Sequence, residues 1–399
     1  MFFKNKITES WNSPEIELLL CCARIHISDE ADARIKALVK GNIDWHLLLQ
    51  VAQRNQVIPL LYATLTKRCS HALPKFTLDE LNSFIRINTK RNYLLTKKLF
   101  QIIDAFNEAG IAVIPFKGPV LAQLIYGDIT LRSFTDIDIL VKKEDLNQAK
   151  AIVTDHGLRL TTQVPANLES KYQALDKDFQ FADDKNIIKL DLHWALIHWH
   201  FASSISIERL WRNTEKVKIF NREISNFQAN DLLIILCAHG SKHQWKCLQW
   251  LCDIAELIRT FEDIDWDEVI SRSREHHALR AVLLGLHLAE NLLDVSLPDS
   301  VLTKINNDKT MRLLATKIKG TIFQPGHDAD NALSNPIFQI YLKENFSEKL
   351  KYILRSMFVP YVVDWQIVNL PKQLYFLYYI LRPLKIMYKY GVKPIARKL

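Results

Sequence analysis

Apolar residues recur at spacings of three and four through most of the first hundred positions, which predicts a run of amphipathic helices. From Pro14, PEIELLLCCARIH opens with a proline and acids, residues that a helix start favours. Between Ile43 and Arg68 the residues Trp45, Leu48, Leu49 and Ala52 share one side, and Pro59 breaks or restarts the helix. After Pro74, Thr77 followed by Glu80 predicts a capping box, and Gly110 is the expected stop. Residues 14 to about 109 therefore read as an N-terminal helical layer.

At Ile111 the period changes. The run to Phe116 reads as a strand, Lys117-Gly118-Pro119 as a turn and Val120–Tyr126 as a helical patch. The following strand carries Asp136 and Asp138 on one face, with Ile137 and Ile139 on the other. KKEDLNQAKAIVTDHG predicts a helix ended by Gly157, while polar Thr161–Lys177 predicts a loop or irregular lid. Asp178–Phe181 and Asn186–Trp194 predict a hairpin. In its second strand Ile188, Leu190, Leu192 and Trp194 alternate with Lys189, Asp191 and His193. LWRNTEKVKIFNREISNFQ reads as irregular.

Beyond it a single helix is expected from Asn230 or Asp231 to Phe261. Its buried side is Leu232, Ile235, Leu236, Leu248, Leu251, Ala255 and Ile258. His239, His243, Lys246, Trp250 and Asp253 form a polar stripe that must face water or a charged site. Helices follow at about 267–295 and 299–318, and at FSEKLKYILRSM. The expected organisation is a helical region over 1–109, an α/β core over 110–228 and a second helical region with a basic tail over 229–399.

Composition sharpens this picture in a few places. A hydrophobic fraction of 48% and only 10 glycines indicate an ordinary globular chain dominated by helix. A net charge of +8 favours anionic ligands such as nucleotides but is too small and too spread out to indicate nucleic acid. The six cysteines form no metal-binding pattern, and neither a secretion signal nor a bilayer-length apolar run is seen, so a reduced cytoplasmic protein is expected. Arg382, Lys385, Lys389, Lys393, Arg397 and Lys398 end the chain without an acid. Such a tail fits weak contact with an anionic membrane surface or acidic partner, or a terminal helix docked by its aromatics.

The chemistry concentrates on carboxylates. Asp136 and Asp138 side by side demand neutralisation, which an oxygen-preferring divalent cation supplies, and Asp191 adds a third carboxylate from a neighbouring strand. The alternatives are a solvated strand end for the aspartates, a plain turn lysine for Lys117, and a structural ion pair with an aspartate for Arg132. His239 with His243, and the group His193, His198 and His200, lack a complete zinc ligand set. Trp45, Trp194 and Trp250 suit a core as well as a ligand.

Lys117-Gly118, Arg132 and Asp136-Ile-Asp138-Ile-Leu-Val together resemble the uncharacterised bacterial nucleotidyltransferases of the DNA polymerase beta superfamily. The likeness extends to Ile43-Asp44-Trp45, Val57–Tyr62, Leu192-His193-Trp194 and His239-Gly240-x-x-His243-x-Trp245, and so spans about residues 40 to 260. It implies an α+β fold, a polymerase-beta-like α/β core with a mixed sheet between helical regions. It also implies transfer of a nucleoside monophosphate from an NTP to a hydroxyl on a small molecule, peptide or protein, using Mg²⁺ or Mn²⁺ ions about 3.5–4 Å apart. In that scheme Asp136, Asp138 and Asp191 hold the metal, and Asp191 accepts the attacking group's proton. Gly118 lets phosphate approach the backbone, Lys117 and Arg132 offset phosphoryl charge, Lys242 or His243 meets the triphosphate, and Trp245 or Trp250 stacks on a ring. One departure is Pro119, which stands where the wider superfamily has a serine. An idle nucleotide-binding or scaffold protein of the same fold is the alternative.

Overall fold

The computed structural model describes residues 13–196, 207–324, 336–361, 364–365 and 370–388. The helical period of the first hundred residues resolves into helices Pro14–Cys22, Asp29–Val39, Trp45–Arg54, Ile58–Cys69 and Lys75–Glu108. Ser13, Ser28 and Asp44 cap the first three, each side chain accepting a backbone N–H of the first turn. Gln56 turns the chain through a left-handed conformation, and Pro59 then sits in the first turn of the next helix, where it costs no hydrogen bond. The long helix begins at Lys75, earlier than the expected capping box, so Thr77 is buried inside it and caps nothing. Gly110, at φ 71°, ends that helix.

The strands are β1 (Val113–Pro115), β2 (Ile137–Val141), β3 (Arg159–Leu160), β4 (Asp178–Ala182) and β5 (Lys189–His193), arranged β1-β2-β5-β4-β3. Only β2 and β5 run parallel, so the sheet is mixed. A parallel pair cannot be joined by a tight turn, and the chain leaves β2 through helix Leu146–Asp155, β3 and β4 before returning as β5. Thr161–Lys177, expected to be irregular, contains helix Glu169–Leu175. LWRNTEKVKIFNREISNFQ, also expected to be irregular, holds the hairpin of β6 (Thr214–Ile219) and β7 (Arg222–Phe227). In β6 Val217 and Ile219 alternate with exposed Lys216 and Lys218, but only Ile219 is fully buried, so the strand signal is short and weak.

The sheet separates two cores. Ile137, Ile139, Val141, Leu190, Leu192, Phe179 and Phe181 point to one side and pack with Leu95, Leu99, Ile102 and Phe106 of the long helix and Ala149 and Val153 of helix Leu146–Asp155. On the other side Ile114, Phe116 and Leu140 join a larger core built by the N-terminal helices together with those from Ala229 to Leu342. The two helical regions distant in sequence thus share one core across the carboxylate-bearing face of the sheet.

The helix expected over residues 231–261 is two, Ala229–Lys242 and Leu248–Thr260. Gln244 and Trp245 adopt φ of 57° and 53°, reversing the chain and driving Trp245 into the core. Its indole donates to Ser241 Oγ at 3.2 Å. Gly240 and Gly285 make the space, since a Cβ would lie 2.3 Å from the indole at Gly240 and 2.9 Å at Gly285. Trp245, an expected stacking residue for a ligand, is therefore core. The stretch 267–295 likewise divides into Trp266–Glu275 and Leu279–Leu293, and 299–318 into Asp299–Asn307 and Lys309–Ile322. Apolar period continues across each break, which hides it from a sequence reading.

Gly240→Ala is expected to lower stability by about 1–3 kcal/mol through overpacking against the indole. Urea denaturation of the two proteins measures it, and an unchanged midpoint would contradict the packing described.

Candidate functional site

The pairing of β2 with β5 sets Asp138 opposite Asp191 and Leu140 opposite His193. β4 extends the row, with Gln180 opposite Asp191 and Asp178 opposite His193. Because alternate residues share a face, Asp136, Asp138, Asp178, Asp191 and His193 all project from one side of the sheet. Ligand atoms of Asp138, Asp191 and His193 lie within 4.8 Å of one another. Asp136, just before β2, opens with Asp191 onto a cleft of about 740 Å³ whose lining includes Thr135, Thr161, Gln180, Asn186 and Lys189.

Lys117 reaches the cluster from the β1 side. Its Nζ lies 3.5 Å from Asp138 Oδ1 and donates to His239 Nδ1 at 3.2 Å. Gly118 begins helix Gly118–Tyr126 at φ 54°, and any Cβ there would stand 2.9 Å from the Asp136 carbonyl oxygen. Glycine is thus required twice, for the backbone angle and for the close approach. On the β4 side Lys177 ion-pairs with Asp178. His193 Nε2 donates to Asp138 Oδ1 at 2.9 Å, while its Nδ1 faces Lys177 Nζ at 3.4 Å. Burial and the Lys177 charge keep His193 below its usual pKa, which fits a neutral ring donating from Nε2.

The three carboxylates experience different surroundings. Burial raises the Asp138 carboxyl, but Lys117 and the His193 hydrogen bond outweigh it and hold the group below the usual carboxylate range. Asp136 is raised by burial and by Asp138, with Lys117 and Arg132 acting against the rise. Asp191 is pushed up to about 8 by burial and then by the charges of Asp138, Asp178 and Asp136.

Arg132, expected at the phosphates, is placed elsewhere. Its Nε and Nη2 each donate to Asp253 at 2.8 Å, with 6% of the Arg132 side chain and 1% of the Asp253 side chain exposed. The Tyr126 hydroxyl donates to the same carboxylate at 2.8 Å. Two donors of the fork are thus committed to a buried ion pair with an aspartate, the structural alternative expected for Arg132. Its charge still bears on Asp136. Next to it Ser133 N donates to Gln249 Oε1 and Gln249 Nε2 donates to Ser133 O, both at 2.9 Å. These contacts lock the segment entering β2 onto helix Leu248–Thr260.

The expected polar stripe divides accordingly. Asp253 belongs to the Arg132 pair, whereas His239, His243 and Trp250 gather beside Lys117, with ring centroids 4.8 Å apart for the histidines and 5.4 and 5.3 Å from each to Trp250. Burial, then Lys242 and Lys117, push His243 down to about 3. Lys242 falls to about 8 through burial and the nearby Lys177. His198 and His200 lie outside the described residues.

The uncharacterised nucleotidyltransferase family model matches residues 41–294, well over half of the chain. The chain belongs to this nucleotidyltransferase family. No curated protein matches it. A solved structure, the solution structure of the antibiotic-resistance factor ANT(2'')-Ia, is 14% identical over 50% of this chain and 98% of that one, with a TM-score of 0.33. The matched span contains the sheet, the carboxylates and both halves of the broken helix, so the family's reaction class, nucleotidyl transfer, falls on the elements described above.

In the sequence His193 is visible only as a member of an incomplete zinc group and of the Leu192-His193-Trp194 likeness, and Lys177 and Asp178 carry no site signal. Asp191-x-His193 repeats the spacing of Asp136-x-Asp138, a signal for His193. Lys177 and Asp178 enter through pairing in register, which a linear reading does not supply.

Arg132→Ala is expected to cost about 3–5 kcal/mol, because Asp253 is left buried and unpaired. An Arg132→Met, Asp253→Leu double variant is expected to recover much of that loss, and urea denaturation of both reports it. Asp191 also bears on stability. With its folded pKa raised to about 8, the folded chain binds a proton that the unfolded chain releases above about pH 4, so metal-free stability falls as pH rises between those values. Asp191→Asn is accordingly expected to stabilise the metal-free protein by about 0.5–2 kcal/mol at pH 8. The gain should shrink toward pH 4, which thermal melts across that range would test.

Proposed function

We propose that this protein transfers a nucleoside monophosphate from an NTP to a hydroxyl of a small polar acceptor seated beside Asp136 and Asp191. The observation that carries the reading is the register of Asp138 against Asp191 at a cleft of about 740 Å³, within a nucleotidyltransferase family match. A cleft of that size falls in the range of small-ligand sites, and its threonine, asparagine, glutamine and charged lining suits a hydroxylated molecule.

The donor set fits a hard divalent cation. Asp138 and Asp191 offer oxygen ligands on adjacent strands, Asp136 adds a carboxylate at the entrance, and His193 orients Asp138 by its hydrogen bond. When bound, Mg²⁺ or Mn²⁺ would offset triphosphate charge and polarise the reacting phosphoryl group. In the reaction the acceptor oxygen bonds to the α-phosphorus, the bond to the β-phosphate oxygen breaks, and pyrophosphate leaves. Asp191 faces the cleft and is the group we assign to take the hydroxyl proton. Lys117, already at the carboxylates, is assigned to the phosphates, with Gly118 giving backbone access at the start of its helix. Lys242 and His243, on the side of Lys117, are assigned to the triphosphate, and half-buried Trp250 beside them to a base.

A second reading rests on one observation. Lys117 and His193 already satisfy Asp138, an arrangement that also suits a nucleotide-binding protein without catalysis. The two are separated by incubating the protein with each labelled NTP, Mg²⁺ or Mn²⁺ and a pool of hydroxylated metabolites. Transfer is expected, falling at least about 100-fold in Asp138→Asn and Asp191→Asn. NTP binding without transfer under every condition would favour the second reading, and transfer unchanged by both substitutions would overturn the site assignment.

A further inference from the structure

The net charge of +8 is not spread along the chain. Residues 343–399 hold eleven lysines and arginines against three acids, so this segment carries the whole excess and residues 1–342 balance to zero. The expectation of a dispersed charge is corrected by this count.

Among the described residues, the same segment carries most of the exposed large apolar side chains. In helix Phe346–Phe358 the residues Phe346, Leu350, Leu354 and Phe358, spaced by four, are 79%, 43%, 47% and 44% exposed. Helix packing ordinarily puts such a row inward, yet here Glu348 and Tyr352 are the buried residues. Helix Tyr378–Met387 repeats the arrangement, exposing Ile380, Leu381, Leu384 and Met387. The two helices are joined where Arg382 Nε donates to the Ser356 carbonyl at 2.9 Å, and Arg382 and Lys385 both pair with Asp364. Lys351 is exposed beside the first stripe, and Tyr379 and Tyr388 flank the second.

We propose that helices Phe346–Phe358 and Tyr378–Met387 form a docking surface that lays this protein on an anionic phospholipid bilayer. Apolar stripes beside cationic side chains enter the boundary between headgroups and acyl chains, where tyrosines also settle. Charge decides among the occupants. A second copy would bring a like-charged segment to the same face and be repelled, whereas an anionic bilayer is complementary to it. No helix among the described residues is long and apolar enough to cross a membrane, so the surface lies on the bilayer. The inference does not rest on the proposed reaction, because it uses none of Asp136, Asp138 and Asp191 and the residues to be substituted, Leu354 and Leu384, are exposed.

Flotation of the full chain with vesicles tests it. Binding is expected to phosphatidylcholine vesicles containing roughly 30% phosphatidylglycerol and to be at least about tenfold weaker with phosphatidylcholine alone or in about 0.5 M salt. Leu354→Glu with Leu384→Glu should reduce binding at least about tenfold while leaving circular dichroism, melting and nucleotidyl transfer unchanged. Equal binding to neutral vesicles, absence of binding to either, or binding unaffected by the double variant would overturn the proposal. So would light scattering that shows a lipid-free dimer dissociated by the double variant.

Discussion

The parallel pairing of β2 with β5 is the constraint on which the site depends. Parallel strands hold register partners side by side, and this register brings Asp138 and Asp191 from positions more than fifty residues apart to one face of the sheet. A slip of β5 by one residue would turn Asp191 into the core in place of Leu190 and Leu192 and leave Asp138 without its partner. The hydrophobic side of the sheet, packed on the long helix, therefore fixes the polar side. Core packing and site geometry are two consequences of the same alternation.

Gathering carboxylates on a buried face creates an electrostatic demand that neighbouring segments meet. Lys117 arrives from the turn after β1, Lys177 from the segment before β4, and His193 from β5 itself. The buried Arg132–Asp253 pair, with the Ser133–Gln249 bonds beside it, anchors the entry to β2 on helix Leu248–Thr260. One arginine near the aspartates thus serves position, and the lysines serve charge. The difference follows from geometry, since a planar fork paired through two donors with one buried carboxylate is fixed in direction, whereas an ammonium on a flexible stem turns toward whichever anion is present.

The break at Gln244 and Trp245 has a comparable double effect. It sends the indole into the space left by Gly240 and Gly285, and it lets His239 and His243 face Trp250 of the next helix. Continuous helix would have carried these groups along one straight stripe. The reversal folds the stripe into a wall beside Lys117, while the C-terminal helices keep an apolar face outward in the segment that holds the chain's excess charge.

By itself the sequence determined the helical character of the first hundred residues, the strand bearing Asp138 with Asp136 at its entry, the later hairpin with Asp191, and the turn at Gly118. Each rests on local periodicity or a local backbone requirement, which neighbouring residues express without reference to the rest of the fold. Tertiary structure decided the rest. It paired Asp138 with Asp191, added His193, Lys177 and Asp178, turned Arg132 to Asp253, split the helices whose apolar period ran on unbroken, and revealed β6 and β7. Partner choice for a charged side chain depends on what is buried beside it, and the alternation of β6 is too short to read with only Ile219 fully buried. Both are properties of the packed chain, which is why they become visible only once it is folded.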